Sequence, residues 1–103
     1  MYRMKVYTEC VQFKADSKLL GFIEQKMQKM EQLFDRIIEI RVVLKLENSG
    51  QVRDKIAEVH LYVPGDILLV CETEKTFEAA IDNAIDTLKR RLIKYKEKNK
   101  SYS

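Results

Sequence analysis

The sequence predicts an α+β domain whose elements follow the order β-α-β-β-β-α. Four short segments alternate apolar and polar residues, which is the period of a half-buried strand. Two longer segments place apolar residues at three- and four-residue steps, which is the period of an amphipathic helix. The chain has 103 residues, 46% of them hydrophobic, and this bounds it to one compact domain with a modest core.

Residues 3–10 form the first predicted strand, and a helix is predicted over about 18–34 with Asp16 or Ser17 as its N-cap. The spacing identifies Met27 and Met30 as core residues of this helix. Gly21 lies inside it at a cost of about 1 kcal/mol relative to alanine. The full buried stripe is predicted to be Leu19, Leu20, Ile23, Met27, Met30 and Phe34.

The second, third and fourth strands are predicted over 38–46, 55–63 and 67–72, separated by turns at 47–50 and 64–66. In the third strand we expect Glu58, His60 and Tyr62 to face outward. The residues expected to face the core are Ile38, Ile40, Val42, Leu44 and Leu46 in the second strand, and Ala57, Val59, Leu61 and Val63 in the third.

A right-handed crossover through the first helix makes strands one and two parallel, and the two hairpins then run antiparallel. Since one face of the sheet is polar, both helices must cover the other face. The predicted fold is thus a four-stranded mixed sheet with two parallel helices on one face, similar in layout to the domains that bind double-stranded RNA. Cys10 and Cys71 fall on its two edge strands and are expected to be reduced thiols.

The last helix, over 76–100 with Thr76 as its cap, carries most of the functional signal. Residues 1–88 hold 12 basic and 15 acidic side chains, whereas residues 89–103 hold seven and one. A mildly acidic body with a strongly basic end attracts polyanions. The alternative interpretation is a merely solvated helix end. Because the helices are expected to run parallel, Lys26 and Lys29 of the first helix should lie towards this basic end.

Other classes of function have less support in the sequence. Membrane binding needs exposed apolar residues beside the basic ones, but Leu92 and Tyr95 belong to the core stripe. Domains that bind double-stranded RNA place cations at the start of the last helix, where this chain has Glu78 and Asp82. A different RNA geometry is therefore expected.

The sequence offers no convincing catalytic, metal or cofactor site. His60 is the single histidine, and its predicted neighbours are weak partners for catalysis or metal binding. The three glycines form no phosphate-binding loop. We therefore expect no enzyme activity, no metal and no cofactor. No run reaches the roughly 18 apolar residues of a membrane-spanning helix, and the N-terminus lacks a signal-peptide core, so a cytoplasmic protein is expected.

Two stretches resemble a known family: KMQKMEQLFDRIIEIRVVLKL at 26–46 and AAIDNAIDTLKRRLIKYKEK at 79–98. Together with the turn at Val63-Pro64-Gly65, they are similar to the short ribosome hibernation promoting factors, also called ribosome-associated inhibitor or sigma-54 modulation proteins. The resemblance implies a domain that occupies the small (30S) ribosomal subunit near the decoding centre, in the channel used by mRNA and tRNA. Its partner would be 16S rRNA. Such proteins inhibit translation by occupancy and preserve idle ribosomes under stress or in stationary phase.

The resemblance also implies which residues contact rRNA and how the chain is divided. We expect a ribosome-binding domain over 1–98, a flexible tail over 99–103, no dimerisation domain in this chain, and neither a membrane nor a DNA partner. A general RNA-binding or protein-interaction module using the same basic edge is the alternative. The expected rRNA contacts are Lys26, Lys29, Arg90, Lys94, Lys96 and Lys98, with Lys89 and Arg91 added as extensions of the patch.

Overall fold

The computed structural model describes residues 4–49 and 52–100. The strands are β1 (Lys5–Cys10), β2 (Glu39–Ser49), β3 (Val52–Val63) and β4 (Asp66–Glu74), and the helices are α1 (Ser17–Gln28) and α2 (Phe77–Lys100). The sheet order is β1-β2-β3-β4, with β1 parallel to β2 and the other pairs antiparallel. This confirms the predicted α+β class and mixed four-stranded sheet.

Both helices begin where the sequence places a capping side chain. The amide of Leu19 donates to Oδ1 of Asp16 at 2.8 Å, and the amide of Ala79 donates to Oγ1 of Thr76 at 3.1 Å. Each bond satisfies one of the amides that a helix N-terminus leaves without an intrahelical acceptor. Helix α2 continues through Lys100, so it includes the first two residues of the predicted tail, while residues 101–103 lie outside the described part of the chain.

The predicted first helix is divided in the structure. Its α-helical part ends at Gln28, and residues Lys29–Gln32 form a 3-10 helix. Met30 is buried within this tighter segment, so the core role predicted for Met27 and Met30 is confirmed. Leu20, in contrast, is exposed, which corrects its place in the predicted stripe.

The β2–β3 hairpin is longer than predicted. Residues 47–49 were expected in a turn but pair with β3, down to Ser49 opposite Val52. Gly50, the last residue of that predicted turn, lies outside the described residues. The β3–β4 connection is the tight turn expected: Val63 pairs with Asp66, and Gly65 adopts a φ of +79° that glycine accommodates without strain.

The core lies between one face of the sheet and both helices, as expected from the alternation. Two corrections concern the ends of β2. Ile37 is 1% exposed whereas Ile38, which precedes the strand, is 49% exposed. Leu46 is 38% exposed and lies beyond Leu44, the last residue of β2 that pairs with β1. The largest fully buried side chains include Ile23, Met27 and Met30 from the α1 side, Ile81, Leu88 and Leu92 from α2, and Ile40, Val42, Leu44, Val59 and Leu61 from the sheet.

The helices run parallel, since contacts between them advance in the same direction along both. Lys26 pairs with Asp82, and further on the carbonyl of Leu33 faces Lys96. Their C-terminal ends therefore lie at the same end of the domain.

Candidate nucleic-acid interface

The second half of α2 presents a dense group of cations at one end of the domain. Leu92 is buried and Tyr95 is half-buried, which anchors this part of the helix to the core. The other side chains from Lys89 to Lys98 are exposed to solvent. The exposed cations, which we name the basic helix end, are Lys89, Arg90, Arg91, Lys94, Lys96 and Lys98.

One flank of the basic helix end faces the first helix. The Nζ atom of Lys96 donates to the carbonyl oxygen of Leu33 at 3.0 Å and lies 6.0 Å from the ring centre of Phe34. Phe34 in turn packs edge-on against Tyr95, with 5.7 Å between ring centres. These contacts fix the end of α2 against the segment that follows α1.

The opposite flank reaches β4 and the β3–β4 turn. The guanidinium of Arg91 donates to the carbonyl of Leu69, and the hydroxyl of Tyr95 donates to the carbonyl of Pro64 at 2.6 Å. Arg91, Lys94 and Lys98 line a shallow groove with Asp66. The basic helix end therefore continues on to the turn at the tip of the sheet.

Lys26 and Lys29 lie in a cleft between the two helices that also contains Lys89, and of the two only Lys26 is paired with a carboxylate of α2 among the described residues. The Nζ atom of Lys26 is 3.5 Å from Oδ1 of Asp82, in the acidic half of α2. Lys29, which is exposed, lines the same cleft of about 540 Å³ together with Lys89 and Asp86. The structure thus brings Lys29 and Lys89 together but directs Lys26 to a carboxylate away from the basic helix end.

This arrangement suits contacts with several phosphates of a nucleic acid. The cations extend over both flanks of a helix end held by Leu92, Tyr95 and the hydrogen bond of Lys96. Lysine and arginine contacts with phosphates give affinity without base specificity. Recognition of folded RNA commonly depends on shape instead.

Several polar groups on the open face of the sheet form ion pairs. Lys45 donates to Oε2 of Glu58 at 2.6 Å, and this hydrogen bond is the main cause that lowers the pKa of Glu58. The Nε2 atom of His60 is 3.6 Å from the other oxygen of Glu58.

Cys10 and Cys71 are free thiols on the two edge strands, as the strand order predicted. Within 4–49 and 52–100, no group of three or more histidine, cysteine or acidic side chains is placed to hold a metal ion. In the same residues, no helix has the length and apolar character to cross a membrane.

Residues 6–100 match the family described as Sigma 54 modulation protein / S30EA ribosomal protein. The chain belongs to this family. It is 40% identical over 81 residues to a ribosome hibernation promoting factor of Klebsiella oxytoca, a match that covers 79% of this chain and 81% of that relative. It is also 40% identical over 84 residues to the ribosome hibernation promoting factor of Escherichia coli K12, covering 82% and 84% of the two chains.

The fold of this S30EA family member is also found in a solved structure. A ribosomal subunit interface protein from Coxiella burnetii superposes with a TM-score of 0.81 at 18% identity, covering 91% of this chain and 99% of that one. At this level of identity the similarity shows the fold alone.

One group on the surface of this S30EA family member was not identified from the sequence. Tyr7, Arg41 and Tyr62 lie together on the open face of the sheet, with the guanidinium carbon of Arg41 5.4 Å and 5.9 Å from the two ring centres. Strand alternation assigns an outward side to Tyr7 and Tyr62 separately. Their meeting with Arg41 follows only from the register of three strands, which the sequence does not specify.

Proposed function

We propose that this chain is a ribosome hibernation factor that binds the vacant small ribosomal subunit in the channel used by mRNA and tRNA. It acts in the cytoplasm by occupancy, not catalysis, so that it inhibits translation and preserves idle ribosomes under stress or in stationary phase. The basic helix end carries this proposal, because six exposed cations lie at one end of an otherwise acidic body. Membership of the S30EA family and the names of its relatives support it.

The proposed rRNA contacts on α2 divide into three sets by their positions. Arg90 and Lys94 are exposed on α2. Arg91 and Lys98 extend the surface towards β4, where they line the groove with Asp66. Lys89 and Lys96 lie on the flank that faces the first helix. Lys26 and Lys29 complete the surface from the cleft. Lys26 would have to exchange Asp82 for a phosphate, which is feasible because partly exposed ion pairs contribute little to stability.

Equilibrium binding to purified vacant small subunits tests the proposal. We expect near-stoichiometric binding of the wild type at moderate salt and weaker binding to large subunits. The Lys94→Glu/Lys98→Glu double variant should lose roughly tenfold or more in affinity, because it replaces two phosphate contacts with repulsion. Neutralising the same pair with glutamine should reduce the slope of log affinity against log salt by about 2.

The matched control reverses two exposed lysines at the other end of the domain. Lys14 lies just before α1 and Lys18 in its first turn, away from the basic helix end. The Lys14→Glu/Lys18→Glu variant has the same net charge as the test variant and should retain most of the affinity. Equal losses in both variants would mean that net charge, not this surface, governs binding. Failure of a folded wild type to bind small subunits would reject the ribosome assignment and leave a general RNA-binding or protein-interaction module as the alternative.

A further inference from the structure

The open face of the sheet carries a cluster of two tyrosines and an arginine. Arg41 on β2 lies between Tyr7 on β1 and Tyr62 on β3, at 5.4 Å and 5.9 Å from the ring centres. Its Nε atom donates to a carboxylate oxygen of Glu39, two residues away on the same face. The guanidinium is thus held in place by a carboxylate and by contact with two rings.

This cluster is accessible to a partner. Tyr7 is 46% exposed, and the Arg41 side chain is 57% exposed. Two large apolar side chains on β4, Ile67 and Leu69, are about half exposed on the same face. Both α1 and α2 pack on the other face, so neither of them covers the cluster. Exposed apolar groups on the same face as an arginine and two tyrosines are typical of a binding surface.

The cluster is also continuous with the basic helix end. A depression beside Tyr62 is lined by Ile38, Gly65, Asp66 and Ile67. Asp66 also lines the groove that contains Lys94 and Lys98. The two surfaces therefore meet at the β3–β4 turn, where the hydroxyl of Tyr95 holds the carbonyl of Pro64.

The chemistry of this combined surface fits single-stranded RNA better than a protein segment. An unpaired RNA strand alternates phosphates, which suit Lys94 and Lys98, with flat bases, which stack on tyrosine rings and on arginine. The carboxylates of Glu39 and Asp66 beside the depression disfavour a phosphate there, but they accept hydrogen bonds from the amino groups of bases.

We propose that the open sheet face binds an unpaired stretch of RNA, with one or more bases stacked on Tyr62, Arg41 and Tyr7 and neighbouring phosphates on Lys94 and Lys98. This rests on the proposed function for the natural source of the RNA, which would be an unpaired segment of small-subunit rRNA. It adds to that function a second surface and a chemical class of ligand, the unpaired nucleobase.

The test compares single variants on vacant small subunits and on a free oligonucleotide. Arg41→Gln and Tyr62→Leu remove the cation and one ring. Lys45→Gln is the matched control, because Lys45 lies on the same strand and face and is also paired with a glutamate, but has no tyrosine partner among the described ring contacts. The free probe is an eight-nucleotide oligoadenylate, compared with an abasic strand of the same length and charge.

We expect Arg41→Gln and Tyr62→Leu each to weaken subunit binding about tenfold, the loss of one stacked base. The affinity of Lys45→Gln for subunits should stay within about twofold of the wild-type affinity, because this variant removes no stacked base. Ultraviolet cross-linking of the complex should join Tyr7 or Tyr62 to an rRNA base. The wild type should also bind the oligoadenylate more tightly than the abasic strand, and Tyr62→Leu should remove this difference. Circular dichroism checks that each variant is folded.

Failure of this inference is distinguishable from failure of the proposed function. If Arg41→Gln and Tyr62→Leu bind subunits like the wild type while Lys94→Glu/Lys98→Glu does not, the sheet face has no role and the proposed function stands. Cross-links from Tyr7 or Tyr62 to a ribosomal protein would also overturn the inference, in favour of a protein-binding face. If the wild type does not bind subunits, the proposed function fails and the oligonucleotides test the inference alone. Equal affinity of the wild type for the oligoadenylate and the abasic strand would then overturn the inference.

Discussion

Gly21 lies on the exposed side of α1, and a methyl group built there meets no atom within 4 Å. Its φ lies outside the left-handed region, so alanine can adopt the same backbone. We expect Gly21→Ala to stabilise the protein by about 1 kcal/mol through the lower entropy of its unfolded state. Urea unfolding measures this change.

The matched control for that substitution is Gly65→Ala. Gly65 also has open space for a methyl group, but its φ of +79° strains any other residue. The free energy of unfolding of this variant should be lower than that of the wild type by roughly 1 kcal/mol. Destabilisation by Gly21→Ala would mean that the glycine has a conformational role in α1 that its geometry does not reveal.

The hydrogen bond from Lys45 lowers the pKa of Glu58 below its ordinary value of 4.5. A carboxylate with a lowered folded-state pKa stabilises the fold above its unfolded pKa, and this contribution disappears as the pH falls through the folded pKa. The wild type should therefore lose its stability advantage over Glu58→Gln as the pH falls below about 4.5. Urea midpoints measured across this range check the prediction.

A second pair of variants identifies the cause. In a Lys45→Met background, Glu58→Gln should change the pH dependence less, because the hydrogen bond that shifts the pKa is already absent. Parallel pH profiles for the wild type and Glu58→Gln would contradict the assignment.

At the scale of elements, the N-caps show a direct path from sequence to structure. Thr76 precedes α2, and its hydroxyl accepts from the amide of Ala79 at 3.1 Å. We expect Thr76→Ala to destabilise the protein by about 1 kcal/mol, and Thr76→Ser, which keeps the hydroxyl, to be nearly neutral. Chemical denaturation measures both, and equal stabilities of the alanine and serine variants would contradict a capping role.

The element order was predictable because each strand and helix has its own periodicity, but several details depend on contacts between elements. The 3-10 segment Lys29–Gln32 continues the apolar pattern of α1 without a glycine or proline that marks a break. This segment is held by contacts with distant parts of the chain. The carboxylate of Glu31 accepts from the amide of Met4 at 2.7 Å, and the carbonyl of Leu33 accepts from Lys96. A periodic pattern carries no information about either contact.

The hairpin and the candidate site show the same limit. The polar residues at 47–49 have turn-like composition, but pairing with β3 holds them in β2. The prediction of parallel helices correctly placed their C-terminal ends at the same end of the domain. Only the packing of the two helices shows that Lys26 is paired with Asp82. The cluster of Tyr7, Arg41 and Tyr62 depends on the register of three strands and so could not be identified from one sequence.

At the scale of the whole molecule, charge and shape act together. Residues 1–88 carry three more acidic than basic groups, whereas residues 89–103 carry six more basic than acidic ones. The described residues span about 52 × 27 × 18 Å. Near RNA, such a body would be oriented by its charge, because phosphates attract the basic helix end and repel the acidic remainder.

The measurement that tests channel occupancy most directly is competition with initiator tRNA on purified small subunits. Subunits carrying labelled initiator tRNA and mRNA are titrated with the wild type, and with the Lys94→Glu/Lys98→Glu variant as control. We expect the wild type to release the tRNA in proportion to its own binding, and the variant to leave it bound at the same concentrations. Simultaneous binding of the wild type and the tRNA to one subunit would contradict the account.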